Sequence, residues 1–213
     1  MRVSEVFYSV QGEINIGKPS VFVRLSGCNL IQTGKGCAWC DTKYAEEGTE
    51  MSVSQVFSEA IKYGCTNIIV SGGEPLLQLN ELFELIDILW RREPHILELE
   101  TNGTVFDERV VYWFNQVNCS PKKQALDLEV LKLFAPYPYV KFKFVFERKE
   151  DLWWEEVIEK LKVPSSRVWI MPQGITREVQ LELGNEVIEY CKLKKYNFSP
   201  RFHIIQWGPK RGV

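Results

Sequence analysis

With 213 residues, 45% of them hydrophobic and 25% charged, the chain is long enough for one globular domain with a full core. A formal net charge of −2 argues against an overall electrostatic footprint for DNA or RNA. No apolar run reaches the ~18 residues of a membrane span, and the opening MRVSEVFYSVQGE lacks the apolar centre of a signal peptide. These features predict a cytoplasmic protein with no nucleic-acid or membrane partner. Thiols stay reduced there, so six cysteines read as metal or catalytic candidates before disulfides.

Two strand-like runs come first, near Val3–Tyr8 and Ser20–Ser26. A loop rich in Gly, Cys and polar residues follows from Gly27 to about Glu50; one so long inside a compact domain is usually functional. Val53, Val56, Phe57, Ala60 and Ile61 then share one helical face, with a capping box at Ser52 and Gln55 and a stop at Gly64. Strand Asn67–Ser71 runs into Gly72-Gly73-Glu74-Pro75, and a helix covers about Asn80 to Arg91. Strand Ile96–Thr101 leads to Asn102-Gly103, a helix lies near Glu108–Gln116, and a short strand ends at Cys119-Ser120. Val140, Phe142, Phe144 and Phe146 alternate with Lys141, Lys143 and Val145 in a period-two strand. A helix near Asp151–Leu161, strand Arg167–Met171, a helix from about Thr176 to Lys194 and a last strand near Phe202–Trp207 complete the chain.

Repeated strand–helix alternation predicts an α/β fold of parallel strands with helical crossovers. Six to eight strands in this length fall short of a complete eight-fold barrel, so residues 1–213 are expected to form a single-domain reduced or partial parallel (β/α) barrel. Ser71-Gly72-Gly73, Thr101-Asn102-Gly103, Ser120-Pro121-Lys122 and Pro172-Gln173-Gly174 all sit where strands end. In such folds the carboxyl ends of strands build the active site, so these clusters are expected to converge on one cavity.

Cys28, Cys37 and Cys40 lie in the long loop. Three thiolates can hold three irons of a 4Fe–4S cluster and leave the fourth open to a small ligand, where four cysteines are usual. Zinc, with His95 or His203 as a fourth ligand, is the alternative, as are unligated thiols. Cys65, Cys119 and Cys191 read as packing residues. Gly72-Gly73-Glu74-Pro75 lets backbone approach a ligand closely, or is simply a strand-to-helix turn.

A cysteine triad after an early strand, followed by a Gly-Gly-Glu-Pro strand end, resembles the radical S-adenosylmethionine superfamily. The usual spacing between the first two cysteines is three residues; here eight, Asn29 to Gly36, intervene. Each doubling of loop length costs only ~0.6 kcal/mol, so the longer loop can still gather the thiolates. Within the superfamily the chain is similar to the 7-carboxy-7-deazaguanine synthases. The similarity rests on Val10-Gln11-Gly12-Glu13, Phe22-Val23-Arg24-Leu25, Trp39-Cys40-Asp41-Thr42, Glu100–Thr104, Ser120-Pro121-Lys122, Arg201-Phe202-His203 and Arg211-Gly212-Val213.

The resemblance implies conversion of 6-carboxy-5,6,7,8-tetrahydropterin to 7-carboxy-7-deazaguanine, with loss of ammonia, on the route to deazapurine tRNA nucleosides. It implies three cofactors: a 4Fe–4S cluster on Cys28, Cys37 and Cys40, S-adenosylmethionine, and Mg²⁺ at Thr42. Cofactor contacts are expected at Trp39, Cys40, Asp41, Gly73, Ser120, Pro121, Lys122 and the Met171-Pro172-Gln173-Gly174 strand end. Substrate contacts are expected at Val10, Gln11, Gly12, Glu13, Arg24, Ser71, His203 and Val213. Arg24 suits a carboxylate by its bidentate fork, and Glu13 suits the amino-pyrimidinone edge. The bland readings are a surface salt bridge for Arg24, a solvated turn for Glu13, a solvated loop for Ser120 and Lys122, and a core histidine for His203. A homodimer and an electron donor of flavodoxin or ferredoxin type are also implied. A glycyl-radical enzyme activase and a non-catalytic zinc-binding module are the rival functions.

Overall fold

Period-two alternation sorts the side chains of the central strands onto two faces, and that sorting positions everything else. The computed structural model describes residues 1–37, 40 and 47–213. Among them, nine strands form one sheet: β1 (Arg2–Val10), β2 (Pro19–Leu25), β3 (Thr49–Glu50), β4 (Asn67–Gly72), β5 (Ile96–Thr101), β6 (Gln116–Cys119), β7 (Val140–Phe146), β8 (Val168–Pro172) and β9 (Asn197–Phe198). The spatial order is β3-β1-β2-β4-β5-β6-β7-β8-β9. Strand β1 runs antiparallel to β2 and β3, and every later pairing is parallel. The sheet ends in β3 and β9 without closing, which makes a partial barrel as expected.

Val21, Val23, Leu25, Ile68, Val70, Leu97, Leu99, Val117, Phe142, Phe144, Val168 and Ile170 are buried in one core with helices α2 (Val53–Ile61), α3 (Leu79–Arg92), α6 (Trp154–Leu161) and α7 (Arg177–Lys194). The intervening positions carry Ser20, Phe22, Arg24, Ser71, Glu98, Glu100, Gln116, Asn118, Lys141 and Lys143. A face of that polarity cannot pack against helices; it forms the concave side. Its lower part is filled by hydrogen bonds, with Gln11, Asn15 and Lys18 all reaching the buried Glu98.

The long loop is not structureless. It holds the single turn α1 (Asn29–Gln32) directly after Cys28, and it ends in β3. The helix near Glu108–Gln116 shrinks to α4 (Val110–Trp113), because Gln116 already pairs with Glu98 in the sheet. A further helix, α5 (Leu128–Phe134), escaped the sequence reading. Its signal was Asp127, whose carboxylate accepts from Glu129 and Val130 N–H, ahead of Leu128, Leu131 and Phe134 at helical spacing.

The expected last strand is wrong. Phe202–Trp207 is helix α8, and the edge strand is β9 instead. Six residues with four large apolar groups fit either period. The helix is set by Ile205 N–H to Arg201 and Gly208 N–H to Ile204 hydrogen bonds, with Phe202 packed edge-on against Trp207.

Candidate active site

The cysteine loop is stitched to two strand ends. Gly73 N–H donates to the Leu25 carbonyl at 3.1 Å and Glu74 N–H to Gly27 at 2.8 Å. Asn29, next to Cys28, accepts from the Asn102 amide at 3.0 Å and donates to Thr104 at 2.8 Å. Glu74 joins the strands beneath: its fully buried carboxylate accepts from Thr101 hydroxyl, Asn102 N–H and Leu76 N–H. Burial outweighs those hydrogen bonds and pushes the Glu74 carboxyl up to about 7. Cys40 N–H donates to the Cys37 carbonyl at 3.1 Å, which puts both cysteines on one turn.

Cys28, Cys37 and Cys40 line a single cavity with Gly72, Gly73, Thr101, Asn102, Ser120, Lys122 and Met171. Three of the four strand-end clusters therefore converge, while the fourth, Pro172-Gln173-Gly174, contributes nothing and only Met171 just before it reaches the cavity. Pro121, Pro172, Gln173 and Gly174 do not line the cavity. The Gly174 carbonyl is held instead by Arg201 at 2.7 Å and Gln180 at 2.9 Å. Trp39, Asp41 and Thr42 lie outside the described residues. Lys122 Nζ donates to the Ser120 carbonyl and hydroxyl at 2.6 and 2.7 Å. Burial pulls the Lys122 ammonium below its usual range, and the neighbouring Cys37 opposes this.

The donor set fits an iron–sulfur cluster better than zinc. Three thiols share one wall, while both candidate histidines are elsewhere. His95 is buried before β5 against the Leu89 and Glu93 carbonyls, and His203 lines a second cavity. Among the described residues no three His, Cys, Asp or Glu side chains are gathered for a single ion. Cys119 and Cys191 are buried and Cys65 is half-buried, all outside the cavity.

The second cavity is lined by all eight expected substrate residues: Val10 at the end of β1 with Gln11, Gly12 and Glu13 just after it, Arg24 and Ser71 on β2 and β4, and His203 and Val213 in the last stretch of the chain. Arg24 and Ser71 are paired across the two strands. Arg24 bonds Glu5 at 2.6 Å and lies 4.8 Å over the Phe7 ring, so its guanidinium is fixed. The Gln11 amide is committed to Ser20 and Glu98. Gly12 is demanded by α8: a Cβ there would fall 2.3 Å from His203 Nδ1.

Glu13, Gly72, Glu100 and Lys143 line both cavities and so form their common wall. Lys143, 4% exposed, bonds Glu13 and, at 2.8 Å, Glu100. Burial alone would lower its pKa; the two carboxylates more than offset that and push it up. Glu13 also suffers from burial, but Lys143, His203 and Arg201 hold it below its usual value. Glu100 is raised, by burial first and by Glu13 as well. Lys143 is a site residue that no sequence motif marks. Its signal was a lysine on the non-helical face of a strand whose other face is all aromatic and aliphatic.

Residues 23–142 match the Radical SAM superfamily, more than half of the chain. A 7-carboxy-7-deazaguanine synthase of Hyperthermus butylicus is 36% identical, covering 96% of this chain and 92% of the relative. The chain belongs to the 7-carboxy-7-deazaguanine synthase family. A Pyrobaculum aerophilum member is 34% identical over 100% of this chain and 97% of its own length. In fold, this family member is similar to QueE from Escherichia coli, with a TM-score of 0.69, 22% identity and coverage of 95% and 94% of the two chains.

Proposed function

We propose that the 213-residue chain acts as one unit that converts 6-carboxy-5,6,7,8-tetrahydropterin to 7-carboxy-7-deazaguanine with loss of ammonia. The observation that carries this reading is the common wall of Glu13, Gly72, Glu100 and Lys143, which sets a cysteine cavity directly against an arginine-bearing polar one. The family's name, shared by relatives that span nearly the whole chain, supports it.

Cys28, Cys37 and Cys40 would hold the cluster, and the strand ends at Gly73, Ser120, Lys122 and Met171 would hold S-adenosylmethionine. When bound, these groups supply a one-electron route to a hydrogen-abstracting radical. The chain's own work is orientation and proton management. Glu13, kept ionised by its cationic neighbours, accepts hydrogen bonds from the amino-pyrimidinone edge. Arg24, held by Glu5 and Phe7, presents a fixed fork to the carboxylate, with Ser71 beside it. Glu100, its carboxyl raised by burial, lines both cavities 2.8 Å from Lys143 and is placed to exchange a proton with the departing nitrogen. Magnesium at Thr42 with Asp41 belongs to the proposal, as do contacts at Trp39, Pro121, Pro172, Gln173 and Gly174. So do a flavodoxin- or ferredoxin-type donor, a homodimer and a cytoplasmic location. No helix among the described residues is long and apolar enough to cross a membrane.

An activase acting on a protein loop has no need of an arginine held ready for a small anion, whereas Arg24 is fixed by Glu5 and Phe7 at the wall of a cavity. The deciding experiment is an anaerobic assay with the tetrahydropterin, S-adenosylmethionine and reductant, with and without magnesium, read by product mass. Deazapurine should appear with wild type, and iron should be lost in Cys28→Ala, Cys37→Ala and Cys40→Ala but kept in Cys65→Ala and Cys191→Ala. A colourless zinc protein that makes no deazapurine would overturn the reading.

A further inference from the structure

Gln124 stands in the short turn Lys123–Ala125 that follows β6, and it lines neither cavity. Its exposed carboxamide reaches across to the cysteine loop. Nε2 lies 3.1 Å from the Lys35 carbonyl oxygen and 3.7 Å from Cys37 Sγ. A primary amide nitrogen carries two N–H groups, and the two acceptors are two residues apart on one strand of loop, so each can take one hydrogen. The sulfur contact is long beside an N–H···O bond because sulfur is larger and softer than oxygen.

We infer that Gln124 is a positioning residue that donates an N–H···S hydrogen bond to the Cys37 thiolate and thereby raises the reduction potential of the cluster. The inference rests on the reading of Cys37 as an iron ligand. Each electron added to a cluster increases the negative charge on its sulfurs. A donor aimed at a ligating sulfur therefore stabilises the reduced form more than the oxidised one, and hydrogen bonds to the sulfurs are among the factors that set cluster potentials. The second bond, to Lys35, fixes the donor's direction by anchoring the same nitrogen to backbone. A simple surface glutamine would do neither; its amide would be solvated, whereas this one spans 87 to 89 residues of sequence to meet both atoms.

The test compares anaerobically reconstituted wild type with Gln124→Leu and Gln124→Glu by a mediated redox titration, followed through the electron paramagnetic resonance of the reduced cluster. At the potential that half-reduces the wild type, the reduced-to-oxidised ratio should fall roughly three- to tenfold in Gln124→Leu. It should fall further in Gln124→Glu, which adds a negative charge near the sulfur. Hyperfine measurement after deuterium exchange should find an exchangeable proton near the cluster in wild type that is missing in Gln124→Leu. Both signals come only from clusters that have assembled, so partial loading does not blur them. A Gln124→Leu midpoint equal to wild type overturns the inference, whatever its proton signal. Wild type that takes up no iron–sulfur cluster overturns the cluster assignment itself.

Discussion

Lys143 is the cation on which the common wall depends. Replacing it by Met would leave Glu13 and Glu100 facing each other in the interior without their shared partner. Breaking a buried pair by removing one member costs roughly 3–5 kcal/mol, and that loss should appear in the denaturation midpoint of Lys143→Met at pH 8. The cost should shrink as pH falls, because protonation of Glu100, already favoured by its burial, relieves the repulsion; equal stability of variant and wild type at pH 8 would remove this account. Glu74 gives a second pH test. Its folded pKa of about 7 stands above the ordinary 4.5, so the native state binds more protons between those values. The carboxyl therefore favours folding below pH 4.5, and that advantage is lost as pH rises toward 7, on the order of 3 kcal/mol in all. Denaturation of Glu74→Gln from pH 4.5 to 8 should show a flatter profile than wild type, and identical slopes would refute the assignment.

At the level of elements, the Gly-Gly-Glu-Pro strand end does more than approach a ligand. A Cβ on Gly73 would lie 2.1 Å from the Gly27 carbonyl oxygen and 2.9 Å from Cys28 Cβ. The segment after β4 is thus pressed against the backbone that delivers the first cysteine. Gly73→Ala should lower thermal stability and iron content together, because the added methyl must displace the Cys28 loop. Gly64→Ala, with φ +62° and nothing within 4 Å of its Cβ, should lose only stability. A Gly73→Ala protein that loads iron and melts as wild type does would show the close approach to be dispensable. Gly73→Val is consequently no clean probe of cofactor binding, since it strikes the loop before any ligand.

On the scale of the whole molecule, the C-terminal segment completes the second cavity. Lys210, Gly212 and Val213 line it, and Arg211 lies 3.6 Å from Glu47 and 4.0 Å from Glu5, the partner of Arg24. Deleting residues 210–213 should therefore weaken pterin binding about tenfold or more while leaving iron content unchanged, as measured by calorimetry and iron analysis. Undiminished affinity in the deletion variant would exclude this segment from the site.

The α/β class and the partial barrel were legible in the residues themselves, and the family resemblance pointed to the cysteine triad and to eight of the residues that line the second cavity. Periodicity is local, and motifs keep their spacing along the chain, so neither needs the fold to be seen. Three things needed the tertiary structure. Phe202–Trp207 became helix because its apolar pattern fits two periods and only its hydrogen bonds and the approach of Gly12 to His203 choose between them. Lys143 acquired its partners because Glu13 and Glu100, 130 and 43 residues away in sequence, meet it only on the concave face of a curved sheet. Glu74 is pushed up to about 7 because folding removes its water, and neither the hydrogen bonds it gains nor the attraction of Lys122 makes up for that, a balance that burial decides and sequence cannot express.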